Sequence, residues 1–443
     1  MPLDVVRDAA IDVLLRVFEQ GAFLNVAIDK SLRRKDLSER GRRFLTELAY
    51  GTVRQKLLCD FVLAKLLEQP LERLPPSVLA VLRMGVYQAL FCSQVTFPAM
   101  VHTSVDLAKK RGGTGMSRVA NAVLRRAPQS VEDIRFPKRE RGPAKYLSLR
   151  HSMPQWLVEE WMAEYGEATT EALCIALNQK APTSLRTNML KTSPDQLLVA
   201  LAKAGCAAKK ATPVPEEVTI IEGMPPSRSA LFREGHFMIQ DPAAMLAVPL
   251  LDPQAGDLVL DLCAAPGGKS THMAEFARGE ACVIAMDVHP RKTGEIAENA
   301  ARLESPGLRL LCGDGLRPPL RPGFDRVLVD APCTGLGTVR RHPELKWRAR
   351  PGDAREMAAR QAALLRSGIE LCNNGGLIVY SVCTFSRPET VEVVMDVLND
   401  GRVRLEDGPD WLAKWKINQG QYRTLPHEEG LDGFFLTRFR KVS

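Results

Sequence analysis

Five short apolar runs punctuate the second half of the chain: LVLDLC (258–263), CVIAMD (282–287), LRLLCGD (308–314), DRVLVD (325–330) and GLIVYSVC (376–383). Stretches of helical periodicity lie between them, opening at Gly267, near Pro290 and near Asp353, and another follows the last run. Strands that alternate with helices predict a parallel, doubly wound α/β sheet. Each run ends on an Asp or a Cys, so polar groups gather along the carboxyl edge of that sheet. The terminal FFLTRFRK (434–441) is a late strand free to pair antiparallel.

The first part of the chain follows a different period. Ile11, Leu14, Leu15 and Phe18 fall on one helical face, as do Leu58, Phe61, Val62 and Leu66, and then Leu79, Leu82, Val86 and Leu90. Spacings of three and four predict core-facing stripes of an all-helical module, with helix starts at Pro75-Pro76 and Ser117 and a last helix ending on Arg125 and Arg126. Residues 130–150 are polar, basic and broken by Pro137, Gly142 and Pro143, which places a linker there. A mixed segment follows: helical at Gln155–Tyr165 and Glu171–Asn178, extended at TSLRTNML (183–190), helical at SPDQLLVALAKAG (193–205), then turn-rich to about residue 230. The expected organisation is therefore a multidomain chain, with a helical domain over 1–140, a small α+β linker domain over 141–230 and the α/β domain over 231–443.

Charge separates the same regions. Residues 1–150 hold 26 basic and 15 acidic side chains, the remainder 34 and 37, within a chain of net charge +8. A basic module on a near-neutral body suggests a polyanion-binding part. Its run SLRRKDLSERGRR (31–43) is either a solvated loop or a nucleic-acid contact. The N-terminal residues carry Asp4, Asp8 and Asp12 and do not form a signal peptide, and no apolar run reaches membrane-spanning length. The ten cysteines include no C-x-x-C pair, and the histidines have no ligand spacing. A disulfide framework, a metal site and a membrane are not expected, and a reducing cytoplasm is.

The segment Asp261 to Ser270 follows the first apolar run and opens a helix. Its small residues, with Gly267 and Gly268, let a ligand approach the backbone near free helix N–H groups. It matches neither G-x-G-x-x-G nor the P-loop, so a pyrophosphate or triphosphate is not what the spacing asks for. Asp287 and Asp314 close the next two runs, where a carboxylate can accept ribose hydroxyls or act as a helix cap. Together the three elements point to S-adenosylmethionine. Cys333 and Cys383 lie just past the fourth and fifth runs; if those strands are neighbours, both thiols face one crevice. Most free cysteines are apolar packers, but this placement suits methylation at carbon 5 of a pyrimidine, where a thiolate adds to carbon 6 and makes carbon 5 nucleophilic. Asp330 is placed to assist at the ring nitrogen or to hold the cofactor's amino group. Lys269 is a substrate contact or a solvated first-turn residue. Arg340, Arg341, His342 and Trp347 form an RNA-contacting loop or a surface patch with one packed ring.

DLCAAPGGKS (261–270), VDAPCTGLGTVRRHPELKW (329–347), YSVCTFSRPE (380–389) and DGFFLTRF (432–439) resemble the RNA cytosine-C5 methyltransferases of the RsmB/Nop2/Sun family. LSERGRRFLTELAYGTVRQ (37–55), VLAVLRMGVYQALF (78–91) and VANAVLRR (119–126) resemble NusB, an RNA-binding antitermination factor, as it occurs in bacterial 16S ribosomal RNA methyltransferases of the RsmB (Sun) type. The resemblance spans nearly the whole chain. It implies Cys383 as nucleophile and Cys333 as an aid to product release. It also implies that Cys263, Ala264, Ala265, Pro266, Gly267, Gly268 and Lys269, with Asp287, Asp314 and Asp330, bind S-adenosylmethionine in a Rossmann-like domain. FREGHFMIQDPAA (232–244) would help frame the site. Val382 departs from the family, which commonly has Thr there.

The expectation is thus a monomeric enzyme that methylates a cytosine in 16S ribosomal RNA, naked or in an assembling subunit, through a covalent cysteine–cytosine adduct. The alternatives are the same reaction on transfer RNA or another RNA, and a non-catalytic NusB-like assembly factor.

Overall fold

The computed structural model describes residues 4–34, 37–211 and 214–443, without the Arg34 side chain. It forms two compact units: Met1–Gln179 with Val339–Arg348, and Lys180–Thr338 with Ala349–Ser443.

The first unit is helical: α1 (Val5–Phe18), α2 (Leu24–Arg34), α3 (Glu39–Arg54), α4 (Lys56–Leu66), α5 (Pro76–Phe91), α6 (Phe97–Leu124), α7 (Pro143–His151) and α8 (Gln155–Asn178). Local chemistry sets its helix starts. The Asp4 and Ser38 side chains accept from the backbone N–H groups of Arg7 and Gly41 to cap α1 and α3, and Pro76 opens α5. The α5 stripe was only part of what this helix buries: Val78, Val81, Met84 and Gly85 are buried beside Leu82 and Val86, while Leu79 and Leu90 are half-buried. A helix apolar on nearly every side belongs in the middle of a bundle, and α1, α3, α4 and α6 pack around it. The helix start expected at Ser117 falls a few residues earlier, just past Gly113. The chain is already helical from Phe97 and breaks once, at Gly113 (φ 80°), and the Ser117 hydroxyl donates to the Thr114 carbonyl at 2.8 Å. The two helices expected within 155–178 are present and meet at a break at Gly166 (φ 78°, ψ 168°).

The second unit holds two sheets. The smaller is antiparallel, built from β1 (Thr183–Thr187), β2 (Ala207–Lys210), β3 (Glu217–Glu222) and β4 (Phe237–Ile239) in the order β2-β3-β1-β4. The helix Pro194–Lys203 lies against it, and Leu185, Leu197, Leu201, Val218 and Phe237 form its core. β2 and β3 fall in the stretch read as turn-rich. β2, Ala-Ala-Lys-Lys on the sheet edge, has no apolar alternation to reveal it.

The larger sheet comprises β5 (Leu258–Asp261), β6 (Cys282–Asp287), β7 (Leu308–Cys312), β8 (Phe324–Asp330), β9 (Cys372–Val382), β10 (Val403–Leu405), β11 (Lys416–Asn418), β12 (Gln421–Thr424) and β13 (Phe434–Lys441). Its order is β11-β12-β13-β9-β8-β5-β6-β7, with β10 on β13. β5 to β9 are parallel, as the alternation of strands and helices predicts, and β13 pairs antiparallel with β9. The strand order reverses between β5 and β8, and open α/β sheets bind ligands at the carboxyl ends around such a reversal.

Candidate active site

The expected loop joins β5 to the helix Gly268–Phe276. Gly267 caps that helix at φ 96°, and a Cβ there would sit 3.0 Å from Ile296 Cγ2, so both conformation and space call for glycine. The loop folds back on the sheet: the Ala264 N–H donates to the Met286 carbonyl at 2.8 Å, and that of Gly267 to the Ala264 carbonyl at 2.7 Å. Asp287, at the end of β6, accepts from the N–H groups of Ala265 (3.4 Å) and His289 (3.0 Å), one on each oxygen. Each oxygen keeps a second lone pair for a hydroxyl. Asp314 lies two residues beyond β7, is exposed, and accepts from Leu316 N–H at 3.0 Å. Cys263 packs into the core around β8 and β9, and burial with the nearby carboxylates pushes its thiol well up.

Asp261, which heads the loop, is a residue that sequence reasoning quoted but did not single out. It is fully buried; one oxygen accepts from Ser270 Oγ at 2.6 Å and Oδ1 has no partner in the protein. Burial pushes its carboxyl up to about 7, against the Ser270 hydrogen bond. An orphaned buried acceptor beside a glycine loop, with the Asp287 and Asp314 carboxylates on the next strands, fits an amino-acid ammonium and a ribose, the donor groups of S-adenosylmethionine.

Cys333 and Cys383 come together. β8 and β9 are neighbours with Asp330 opposite Ser381, and the two Sγ atoms stand 3.2 Å apart. The turns carrying them touch through Gly337, whose N–H donates to the Cys383 carbonyl at 3.0 Å. A Cβ on Gly337 would lie 1.8 Å from the Gly433 carbonyl oxygen. The hydrogen bond with Cys383, burial and nearby negative charge push the Cys333 thiol well above its ordinary range, which favours its protonated form; in the contact between the sulfurs either can be the donor. Lys269 Nζ meets Asp330 Oδ2 at 2.6 Å and lies 5.6 Å from the centre of the Phe434 ring. Burial lowers the Lys269 ammonium, but Asp330, Cys383 and Asp261 outweigh it and raise it overall. Val382 is fully buried under the site.

Further side chains brace the loop without any motif to announce them. Arg186, from β1 of the smaller sheet, is fully buried. It pairs with Glu275 (2.8 Å), donates to Thr271 Oγ1 (2.9 Å), and reaches the Gly268 carbonyl and Gln240. Gln240 belongs to the segment 232–244 expected to frame the site.

The residues after Thr338 leave the sheet unit. Val339–Arg348 belongs to the helical unit, where Trp347 Nε1 donates to the Val53 carbonyl at 2.6 Å, Arg54 donates to the Arg340 carbonyl at 3.1 Å and Glu344 accepts from Leu24 N–H at 3.0 Å. Trp347 is the packed ring rather than an RNA-facing one, and Arg340 is 5% exposed. In the run 31–43, Lys35 and Asp36 lie outside the described residues, Arg33 pairs with Asp29 at 2.9 Å, and Arg40 and Arg43 are exposed on α3. Among the described residues no helix is long and apolar enough to cross a membrane, and no group of three or more His, Cys, Asp or Glu could hold a metal ion.

A helical bundle, a ferredoxin-like sheet and a mixed sheet with a glycine loop and two thiols at its carboxyl edge define a methyltransferase of multidomain type. Family models agree: 16S rRNA methyltransferase RsmB/F over residues 248–440, NusB over 4–129 and the RsmF/B-like ferredoxin-like domain over 153–226. The chain is 33% identical over 450 residues to the probable ribosomal RNA small subunit methyltransferase B of Bacillus subtilis, covering 98% of each. It is 32% identical to the ribosomal RNA small subunit methyltransferase B of Serratia proteamaculans, again over 98% of each. The crystal structure of PH0851 matches it with a TM-score of 0.83 at 26% identity over 100% of both chains. The chain belongs to the RsmB/F family of 16S ribosomal RNA methyltransferases.

Proposed function

We propose that the protein transfers a methyl group from S-adenosylmethionine to carbon 5 of a cytosine in 16S ribosomal RNA, with Cys383 as the nucleophile and Cys333 assisting release. The observation that carries this reading is the pair of sulfurs 3.2 Å apart at the ends of adjacent parallel strands, beside the Lys269–Asp330 pair. One thiol suffices for addition, and the second, protonated beside it, suits a step that follows.

The loop Cys263–Lys269, Asp261, Asp287 and Asp314 hold the cofactor, which when bound supplies an electrophilic methyl group. The target cytosine leaves its helix or loop to reach the sulfurs. The Cys383 thiolate adds to carbon 6, and the Lys269–Asp330 pair delivers a proton to the ring nitrogen, with the Lys269 ammonium as its reservoir. Carbon 5, now enamine-like, takes the methyl group. It then gives up its proton to a water molecule acting as base, the electron pair of the carbon 6–sulfur bond returns to Cys383 as the bond breaks, and the ring nitrogen hands its proton back to the Lys269–Asp330 pair; Cys333 assists this release. The basic helical module supplies backbone affinity for the RNA.

The test is a denaturing gel of enzyme incubated with RNA and cofactor. Cys333→Ala should accumulate a covalent protein–RNA adduct and Cys383→Ala none; the reverse pattern overturns the assignment of roles. Mass mapping of 5-methylcytosine in 16S ribosomal RNA from cells lacking the protein identifies the base, and an unchanged map overturns the substrate.

A further inference from the structure

One buried carboxylate at the thiols is not used by the chemistry above. Glu389, in the turn that follows Cys383, is fully buried, which disfavours a carboxylate unless both oxygens are filled. Both are. Oε1 accepts from Thr334 N–H at 2.8 Å and from Gln361 Nε2 at 3.1 Å, and Oε2 accepts from Thr334 Oγ1 at 2.5 Å. Gln361 Nε2 also donates to the Pro332 carbonyl at 2.9 Å, and Thr334 Oγ1 lies 3.4 Å from Thr384 Oγ1. Of the residues that flank Cys333, the carboxylate therefore grips Thr334 directly and Pro332 through Gln361, and through Thr334 it reaches the residue that follows Cys383. Its own backbone is pinned to β9, where Tyr380 OH donates to the Glu389 carbonyl at 2.7 Å. Gln361, Thr384 and Tyr380 are fully buried, so water does not compete for these bonds. Burial raises the Glu389 carboxyl, and the Thr334, Gln361 and Thr384 hydrogen bonds oppose it.

We propose that Glu389 is a positioning residue that sets the separation of the Cys333 and Cys383 sulfurs by clamping together the two turns that carry them. The inference rests on the reading of these cysteines as the reacting thiols. Glutamine at this position keeps an oxygen for Thr334 N–H and Gln361, and the Thr334 hydroxyl can turn to accept from its amide. Alanine leaves Thr334 N–H and one Gln361 N–H without an acceptor in a dry interior and releases the Thr334 hydroxyl from its short bond.

The test uses the full-length protein and two independent readouts. One is bridging of the two sulfurs by the bifunctional thiol reagent dibromobimane, mapped to the Cys333 and Cys383 peptides by mass spectrometry. The other is methyl transfer to a 16S ribosomal RNA transcript, with kcat and KM separated. Displacing reacting groups by about 1 Å costs about a hundredfold in rate, so Glu389→Ala should lower kcat by about that factor with KM little changed, and should slow bridging about tenfold. Glu389→Gln should recover most of both. If Glu389→Ala does not fold, the near-isosteric Thr334→Val removes the Oγ1 contacts with Glu389 and Thr384, keeps the Thr334 N–H bond, and should slow bridging and kcat together. Bridging at the wild-type rate in Glu389→Ala, or in Thr334→Val when that replaces it, overturns the clamp, as does a glutamine variant no better than alanine. Bridging that depends on Glu389 in a protein that methylates no cytosine upholds the clamp and overturns only the chemistry assigned to the thiols.

Discussion

Each compact unit encloses a lysine, with opposite results. In the sheet unit Lys269 has 11% of its side chain exposed and meets Asp330 at 2.6 Å; burial lowers its ammonium, but Asp330, Cys383 and Asp261 raise it overall. In the helical unit Lys346 is fully buried, its Nζ donates to the neutral Asn178 Oδ1 at 3.2 Å, and burial with the Arg54 cation lowers it well below its ordinary value against a small pull from Cys174. A lysine with a perturbed ammonium is therefore not by itself the mark of an active site. The direction of the shift and the charge of the partner separate the two. Lys269 is held charged among acids and a thiol at the edge of a sheet, whereas Lys346 sits beside Trp347, 4.9 Å from the ring centre, in a packed interior.

The comparison breaks most visibly if Lys269 is expendable. Lys269→Met leaves the Asp330 carboxylate without its cation and, on the proposed mechanism, the ring nitrogen without its proton source. Methyl transfer should fall about 10²–10³-fold, the usual loss on removing one preorganised electrostatic partner. Single-turnover rates measure this, and a loss of about twofold or less would make Lys269 a mere first-turn cation.

Asp261 sharpens the contrast with a carboxylate. Burial holds it at about 7 against an ordinary 3.8, so over that interval the folded state binds a proton that the unfolded state has released. The Asp261 contribution to stability is whole below the unfolded value and is lost as pH rises toward about 7. Asp261→Asn has no such loss. Relative to wild type it should gain about 3 kcal/mol between about pH 5 and about pH 8 in urea unfolding, while S-adenosylmethionine binds more weakly. A difference in stability that does not change with pH would place Asp261 outside the buried set.

The sequence made the carboxyl edge of the larger sheet legible because its strands end on polar residues. Asp287, Asp330, Cys333 and Cys383 stand at or just beyond strand ends, and a Val/Leu/Ile-rich run is visible without a structure. Glu389, Gln361 and Arg186 were not legible, because their roles exist only once distant segments meet: Gln361 is 28 residues from Glu389, and Arg186 is 89 from Glu275. β2 was missed for want of alternation, whereas β3 does alternate at Val218, Thr219 and Ile220 but is a short run between Pro215 and Gly223. Val339–Arg348 stayed open for another reason. Arg-Arg-His followed by Lys-Trp has the composition of an exposed nucleic-acid contact, yet Trp347 and Arg340 are packed in the helical unit. Composition gives the charge of a segment but not the side on which its backbone turns.

The smallest effect expected belongs to Lys346, and it is the one that isolates packing from chemistry. Methionine is close to lysine in length and carries no charge, so Lys346→Met removes a buried amine whose hydrogen-bond partner among the described residues is an amide oxygen. Replacing buried charge by apolar volume is often neutral to stabilising, and here the gain should be about 1–3 kcal/mol near pH 7. The sign with pH follows from the lowered ammonium. The unfolded lysine holds its proton up to about 10.5 whereas the folded one sheds it earlier, so wild-type stability rises with pH across that interval. The advantage of the methionine variant should shrink as pH is raised from about 7 toward about 10 in urea unfolding curves, with methyl transfer within about twofold of wild type. A variant less stable than wild type, or an advantage that grows with pH, would mean that Lys346 is charged and satisfied in the folded bundle, and the two lysines would then be alike.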